Sequence, residues 1–294
     1  MSSRILPKFE LCLPQNIQEL LEDLKTFGDN AAILAGGTDL LVRMKSGSMS
    51  PDVVISLANI DGLDTIEYDE TKGLSIGAMA TVNQVTASEV VKTKYPALFQ
   101  SACVNGTAQT RNVATVVGNL LNASPAGDCA CAILSLGGYV VLEGPNGRRR
   151  VDIDDFWTGY RQTRRKTDEF ALEVVIPPPG KSVSAFDALT RTKKDLSKIN
   201  AAATVVMDKG ICQKARLAMG AVAPTLIRLK KCEKLMEGRA VDDSLIETLL
   251  ELAPTEIAPI DDVRSSAEYR KDVSGVLIAR VIKKALGIAT KKGS

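Results

Sequence analysis

Ile33-Leu34-Ala35-Gly36-Gly37-Thr38-Asp39-Leu40-Leu41 is an apolar run stopped by two glycines, then a threonine, an acid and fresh apolar residues. Ala31 to Ala35 reads as a buried strand and Asp39 to Met44 as a helical turn, so the glycines stand where a strand hands over to a helix. Backbone N–H groups at such a turn can approach a phosphate closely. The helix start adds a favourable dipole, and the Thr38 hydroxyl is a further donor. A tight structural turn leaves the same trace, so this segment alone leaves both readings open. A second stretch, Arg111-Asn112-Val113-Ala114-Thr115-Val116-Val117-Gly118-Asn119-Leu120-Leu121-Asn122-Ala123-Ser124-Pro125-Ala126-Gly127-Asp128, gathers hydroxyls, amides and an acid around Gly118. These groups could donate to phosphates, and Asp128 could accept from ribose hydroxyls. A polar, self-bonded loop with Ser124 as a cap is the competing reading.

Outward from these stretches, Asn16 and Glu19 have capping-box spacing, and Ile17, Leu20, Leu21, Leu24 and Phe27 give the following helix one apolar face, which Gly28 ends. Asp52 to Leu57 and Gly73 to Gly77 read as strands. Thr81 to Cys103 reads as helix with a break at Pro96, and Asn105 to Ser124 as a long loop. Ser124-Pro125 is expected to open a helix carrying Cys129 to Leu136 and stopped by Gly137-Gly138. Tyr139 to Glu143 and Arg149 to Ile153 form a hairpin about Pro145-Asn146-Gly147. Ala171 to Ile176 is a strand closed by Pro177-Pro178-Pro179-Gly180, the clearest boundary in the chain, since three prolines continue neither sheet nor helix. Beyond it lie a hairpin, Asn200 to Met207 and Ile211 to Val222, and helices at Thr225 to Glu237, Asp243 to Leu252 and Ser274 to Leu286.

A length of 294 residues suggests two domains, or one large domain with subdomains. The net charge of +2 gives no field that argues for nucleic acid or an anionic membrane. No stretch approaches the roughly 18 to 20 apolar residues of a membrane span, and Met1 to Glu10 has no signal-peptide core, so a cytoplasmic location is expected. The absence of histidine removes Ser-His-Asp and Cys-His catalysis, His-ligated metals and flavin attached through histidine. The six cysteines (12, 103, 129, 131, 212 and 232) have no metal-site spacing and read as small hydrophobes in a reducing compartment, so no metal is expected on this chain. Gly180-Lys181-Ser182 mimics the end of a P-loop, but Val175 holds the earlier glycine position and three prolines supply no donors.

Together the two stretches resemble the FAD-binding medium subunits of the xanthine dehydrogenase and carbon monoxide dehydrogenase family. The family pattern A-G-G-T-D-L, then R-N-x-A-T-[IV]-G-G-N-[LI]-x-x-[AG]-S-P-x-[AG]-D, is matched by Ala35 to Leu40 and Arg111 to Asp128. Further matches run along the chain at Asp155 to Gly159 with Thr163, Glu173 to Pro177, Ala185-Phe186 with Arg191 and Asp195, Gly220 to Thr225, and Asp262 to Arg270. The resemblance implies an α+β chain. A vanillyl-alcohol-oxidase-type FAD-binding domain (1–177, subdomains about 1–57 and 58–177) would be built from two α/β subdomains, and an antiparallel sheet with helices (181–290) would follow. It implies that Gly36, Gly37, Thr38 and Asp39, flanked by Ile33, Ala35 and Leu40, hold the pyrophosphate. Thr115, Gly118, Asn119, Asn122 and Ser124 would complete the contacts, with Asp128 on the adenosine ribose. Ala171 falls where the family places an apolar residue near the flavin, and Arg191 and Asp195 where a loop borders the isoalloxazine. Val117 departs from the family's first glycine of G-G-N, so its backbone must avoid positive φ or distort. Asp187 and Ala188 occupy the place of a usual lysine.

The resemblance further implies an electron relay. A molybdopterin large subunit would oxidise substrate and an iron–sulfur small subunit with [2Fe-2S] clusters would pass electrons on, within a dimer of heterotrimers. FAD here would deliver them to NAD, a quinone, a ferredoxin or oxygen. A free-standing FAD oxidase of the same fold and a structural FAD-binding assembly subunit are the rivals; reconstitution of acceptor reduction with partner subunits separates relay from scaffold. Two basic clusters, Arg148 to Arg150 with Arg161 and Arg164 to Lys166, and Arg191 with Lys193, Lys194 and Lys198, are candidate docking charge or ordinary solvated surface.

Overall fold

The computed structural model describes residues 5–192 and 195–288. The first unit runs β1 (Glu10–Cys12), α1 (Ile17–Phe27), β2 (Ala31–Leu34), α2 (Leu40–Lys45) and β3 (Val53–Ser56). Its three strands are parallel in the order β1-β3-β2. The Asn16 carboxamide caps α1 by accepting from Glu19 N at 3.0 Å, and Gly28 closes it at φ +50°. The Glu19 carboxylate accepts from Gln15 N at 2.7 Å and from the Asn16 carboxamide at 2.8 Å, rather than from the cap residue's backbone N–H. Leu20 and Leu24 seal the sheet's central strand, joining Val53 and Ile55 in one core.

Next come β4 (Ile66–Asp69), β5 (Gly73–Gly77), α3 (Val82–Ala87), α4 (Glu89–Lys94), α5 (Pro96–Val104), α6 (Ala108–Arg111), α7 (Val116–Leu121), α8 (Asp128–Leu136), β6 (Tyr139–Gly144), β7 (Gly147–Asp152), β8 (Trp157–Gly159), β9 (Gln162–Thr163) and β10 (Phe170–Ile176). The larger sheet, β4-β5-β10-β6-β7, is antiparallel at every pairing. Here the structure corrects the sequence reading. The stretch 105–124, expected to be loop, holds α6 and α7, capped by the hydroxyls of Thr107 and Thr115. Val117 lies inside α7 and is buried, so the departure from glycine is absorbed by helical backbone. The helix expected from Ser124-Pro125 starts only at Asp128; the Ser124 hydroxyl instead accepts from Ala126 N at 3.3 Å and holds a turn.

The last unit comprises β11 (Ser182–Leu189), β12 (Ile199–Asp208), β13 (Ile211–Gly220), β14 (Ile227–Arg228), α9 (Lys230–Met236), α10 (Asp243–Leu252) and α11 (Ala267–Ala285). Its sheet is antiparallel in the order β11-β12-β13-β14. The helix expected from Thr225 is shorter because Ile227 and Arg228 pair with β13, while α11 starts seven residues before Ser274, capped by the Ser266 hydroxyl. Both faces of this sheet are covered. Along β12, Ile199, Ala201, Ala203 and Val205 join the core under α9, α10 and α11, whereas Ala202 faces the other way, into the core shared with α5 and α8. Double burial explains why the strand reads as a run of small apolar residues. The helices α5 and α8 thus lie between the five-stranded sheet and the last sheet.

Candidate cofactor cleft

A single cleft of about 1110 Å³ opens where the three units meet. That is at or above the upper end of the roughly 300–1,000 Å³ typical of small-ligand sites. One wall is the β2–α2 turn. Across it, the 113–114 backbone and α7 come so close that a Cβ on Gly36 would overlap the Val113 carbonyl. Gly36 is therefore demanded by close approach, and Gly37 by its φ of +69°. A Cβ at Gly37 would meet Leu34 and Leu41 at 3.0 Å, so its missing side chain makes room for apolar packing more than for a ligand.

Among the described residues, the N–H groups of Gly36, Gly37, Thr38, Asp39 and Leu40 donate to no protein acceptor. The Thr38 hydroxyl likewise has no protein partner there. These residues are half-buried, with Asp39 exposed, and successive open N–H groups at one turn form a concavity suited to anionic oxygens. With only six residues, α2 adds little dipole, and the backbone donors carry the effect. On the opposite wall Thr115 Oγ1 accepts from Gly118 N at 3.0 Å, fixing the start of α7. Asn119 Oδ1 accepts from Ala130 N at 3.1 Å and so caps α8. A chain of hydrogen bonds crosses the mouth: Asn122 Nδ2 donates to Asp39 Oδ1 at 2.9 Å, and Arg161 donates to Asn122 Oδ1 at 2.7 Å.

Asp128, the first residue of α8, lines the cleft yet is buried, and its Oδ1 accepts from Ser197 Oγ at 2.7 Å and Asn200 Nδ2 at 2.6 Å. Burial pushes its carboxyl above the usual range, against the pull of those two hydrogen bonds. Backbone strain gathers here too. Ala123, Arg161 and Ala221 are non-glycine residues at positive φ, with Ala123 beside Ser124 and the other two lining the cleft.

Of the residues singled out from sequence, Ile33, Ala35, Gly36, Gly37, Thr38, Asp39, Leu40, Thr115, Gly118, Asn119, Asn122, Ser124, Asp128, Ala171 and Asp195 all line this one cleft. Arg191 does not. It lines a neighbouring depression of about 320 Å³ with Asp195, Leu196, Lys198 and Arg264, paired with Asp195 at 2.9 Å. Lys193 and Lys194 lie outside the described residues. The other basic cluster is largely committed to the protein: Arg148 to Glu143, Arg149 to Glu169, Arg164 to the Asp155 carbonyl, and Arg150 over the Tyr139 ring. Sequence reading missed Arg43, Thr110, Ile260 and Arg270 as lining residues, because each comes from an element whose side-chain direction no local pattern discloses. Four of the cysteines are core packing, at 129, 131, 212 and 232, while Cys103 is exposed.

Residues 7–179 match the family described as FAD binding domain in molybdopterin dehydrogenase, and residues 184–285 the CO dehydrogenase flavoprotein C-terminal domain. The chain belongs to the FAD-binding subunits of the molybdenum hydroxylases. It is an oxidoreductase subunit of the medium-chain type, and its long cleft fits a dinucleotide. It is 28% identical to the carbon monoxide dehydrogenase medium chain of Hydrogenophaga pseudoflava, over 96% of this chain and 98% of the relative. It is 32% identical to the nicotinate dehydrogenase FAD-subunit of Eubacterium barkeri, over 91% of this chain and 93% of the relative. The fold superposes at TM-score 0.92 on a chain of the H. pseudoflava carbon monoxide dehydrogenase structure that lacks the Mo-pyranopterin moiety, at 29% identity, covering 96% of this chain and 99% of that one. Quinoline 2-oxidoreductase from Pseudomonas putida 86 gives TM-score 0.90 at 28% identity. Among the described residues no helix is long and apolar enough to cross a membrane.

Proposed function

We propose that this chain holds one FAD non-covalently across the cleft and relays electrons from an iron–sulfur small subunit to an external acceptor, substrate being oxidised on a molybdopterin large subunit. The observation that carries this reading is the run of open backbone donors at Gly36 to Leu40, facing Thr115 to Asn119 across one long cleft. Bound FAD would supply a store for two electrons that can be taken up and released singly. The chain's own work is binding and orientation. The amides of the Gly-Gly-Thr turn and the Thr38 hydroxyl take the pyrophosphate, Thr115, Gly118, Asn119 and Ser124 shape the far wall, and Asn122 ties that wall to Asp39. Asp128 presents its remaining carboxylate oxygen toward the ribose, its Oδ1 being occupied. Ile33, Ala35, Leu40 and Ala171 exclude water, and Arg191 and Asp195 stand at the rim.

The functional division we favour is 1–177 for cofactor binding, within it about 1–57 and 58–177, and 181–290 for the last sheet and its helices. The triproline supports it. The medium-chain relationship supports a dimer of heterotrimers with [2Fe-2S] clusters on the small subunit; NAD, a quinone or a ferredoxin is the acceptor class. Acid precipitation of the purified chain should leave yellow FAD in the supernatant, since the sequence has no histidine for attachment. FMN in the supernatant, or flavin fixed to the pellet, would sink the reading.

A further inference from the structure

Five arginines line the cleft among the described residues, and four of them are engaged by the protein. Arg161 donates to Asn122 Oδ1 at 2.7 Å, Arg165 to the Glu169 carbonyl at 2.6 Å, and Arg270 to the carbonyls of Lys198 and Ile260. Arg264 faces Asp262 at 3.9 Å. The fifth, Arg43, makes no side-chain hydrogen bond, ion pair or ring contact with any described residue.

Its placement on α2 inverts the usual preference of the side chains. Val42 is 61% exposed, whereas Arg43 beside it is half-buried and lines the cleft. A guanidinium with no work beyond solvation belongs on the outer face, and the valine on the inner one. Met44 is buried and fixes the rotation of the helix, so position 43 must face inward. An arginine at that inward position is what calls for a reason. Local rules broken in this way mark functional sites.

The helix also sets where this side chain leans. Arg43 N donates to the Asp39 carbonyl at 3.0 Å, so the two residues stand one turn apart on the same face. Long side chains on a helix point back over the preceding turn, here toward Asp39 and Leu40, two of the residues whose N–H groups are open. Asp39 is the ordinary partner for a cation at this spacing, yet its Oδ1 accepts from Asn122 Nδ2 and no ion pair with Arg43 forms. The turn's amides are neutral donors, and the Asp39 carboxylate beside them opposes an anion. A dianionic pyrophosphate at this wall therefore needs a cation, and Arg43 is the one left free.

We infer that Arg43 supplies the positive charge of the pyrophosphate site, its guanidinium donating to the phosphate oxygens that the Gly-Gly-Thr amides also hold. The inference rests on the FAD reading above.

The full chain, stripped of flavin, is titrated with FAD over a range of salt concentrations, and with ADP and adenosine. Arg43→Gln keeps a good helix former and removes the charge. It should weaken FAD and ADP by about 10- to 100-fold, the loss of charge-assisted hydrogen bonds, and leave adenosine where it was. Its FAD affinity should also depend less steeply on salt. Arg43→Lys keeps the charge and should recover most of the lost affinity, which a purely structural role for the arginine would not produce. Unchanged FAD affinity in Arg43→Gln, an equal loss for ADP and adenosine, or a salt dependence as steep as that of the wild type overturns the assignment. A wild-type chain that binds no FAD at all overturns the cofactor reading itself, and this one with it.

Discussion

Gly37 and Gly36 show how adjacent glycines serve different needs. Gly37 carries a φ of +69°, and a side chain there would crowd Leu34 and Leu41. Its position in the phosphate-type motif suggests that Gly37→Val would empty the site and spare the fold. The geometry gives a different expectation: the positive φ alone costs about 1–2 kcal/mol, so both flavin content and the urea midpoint of the apo-chain should fall. Gly36→Ala acts between segments, forcing the β2–α2 turn away from Val113, and overpacking of this kind costs about 1–3 kcal/mol. Wild-type urea midpoints in both apo-variants would contradict this account. Asp128 supplies a pH test. Its carboxyl is raised in the folded state, so the protonated form is the better bound. The associated stability is fully present below the unfolded value near 3.8 and is lost as pH rises through the folded value. Asp128→Asn keeps an acceptor for Ser197 and Asn200 without the charge. Its denaturation midpoint, relative to wild type, should therefore climb between pH 4 and 8; a flat difference across that window would show that the burial cost is compensated.

Helix α11 is the element where packing overrules propensity most plainly. Gly275 lies mid-helix, where alanine ordinarily gains about 1 kcal/mol. Here a Cβ would overlap the Leu250 carbonyl at the end of α10, so Gly275→Ala is expected to destabilise the chain by about 1–3 kcal/mol, read as a lower thermal midpoint. A higher midpoint would mean that α10 and α11 can separate at little cost. Sequence patterning found α1, α10, the two hairpins and the β2–α2 turn, because each carries its signal locally: a cap, a 3.6-residue period or a turn pair. It missed β4, a four-residue alternation with no turn signature of its own, and α6 and α7, whose Thr, Asn and Gly composition favours loops until Thr107 and Thr115 cap them. It began α11 too late, because Glu268, Arg270, Lys271 and Asp272 look solvated, although Arg270 is buried and bonded to the Lys198 and Ile260 carbonyls and to Asp262. The motif part of the cleft was legible as sequence. The arginines that line the rest of it were not, since their approach depends on strands and loops far away in the chain.

Across the whole molecule, α8 is fastened to the last sheet along its length. Ser197 and Asn200 hold Asp128 at its start, and Ser135 Oγ meets Thr204 Oγ1 at 3.2 Å. Arg216 donates to the carbonyls of Leu134 and Ser135 at its end. Arg216 also pairs with Asp154 at 2.7 Å, and Arg228 pairs with both Asp154 and the buried Glu233. Burial raises the Asp154 carboxyl, but the two arginines outweigh it and the net direction is down. Phe186, Ala202 and Ala218 share the core of the five-stranded sheet. A fragment ending at Pro179 would bare α5 and α8, so it should lose its cooperative melt and most of its FAD affinity; binding as tight as that of the full chain would refute this coupling. The same fastening sets a timetable for synthesis. The bond partners of α8 lie 69 residues downstream of Asp128 and 82 downstream of Leu134. At about 5–20 residues per second the ribosome needs roughly 4 to 16 s to deliver them. The nascent cleft stays open for those seconds, and the cofactor must be captured late, after the last sheet has emerged.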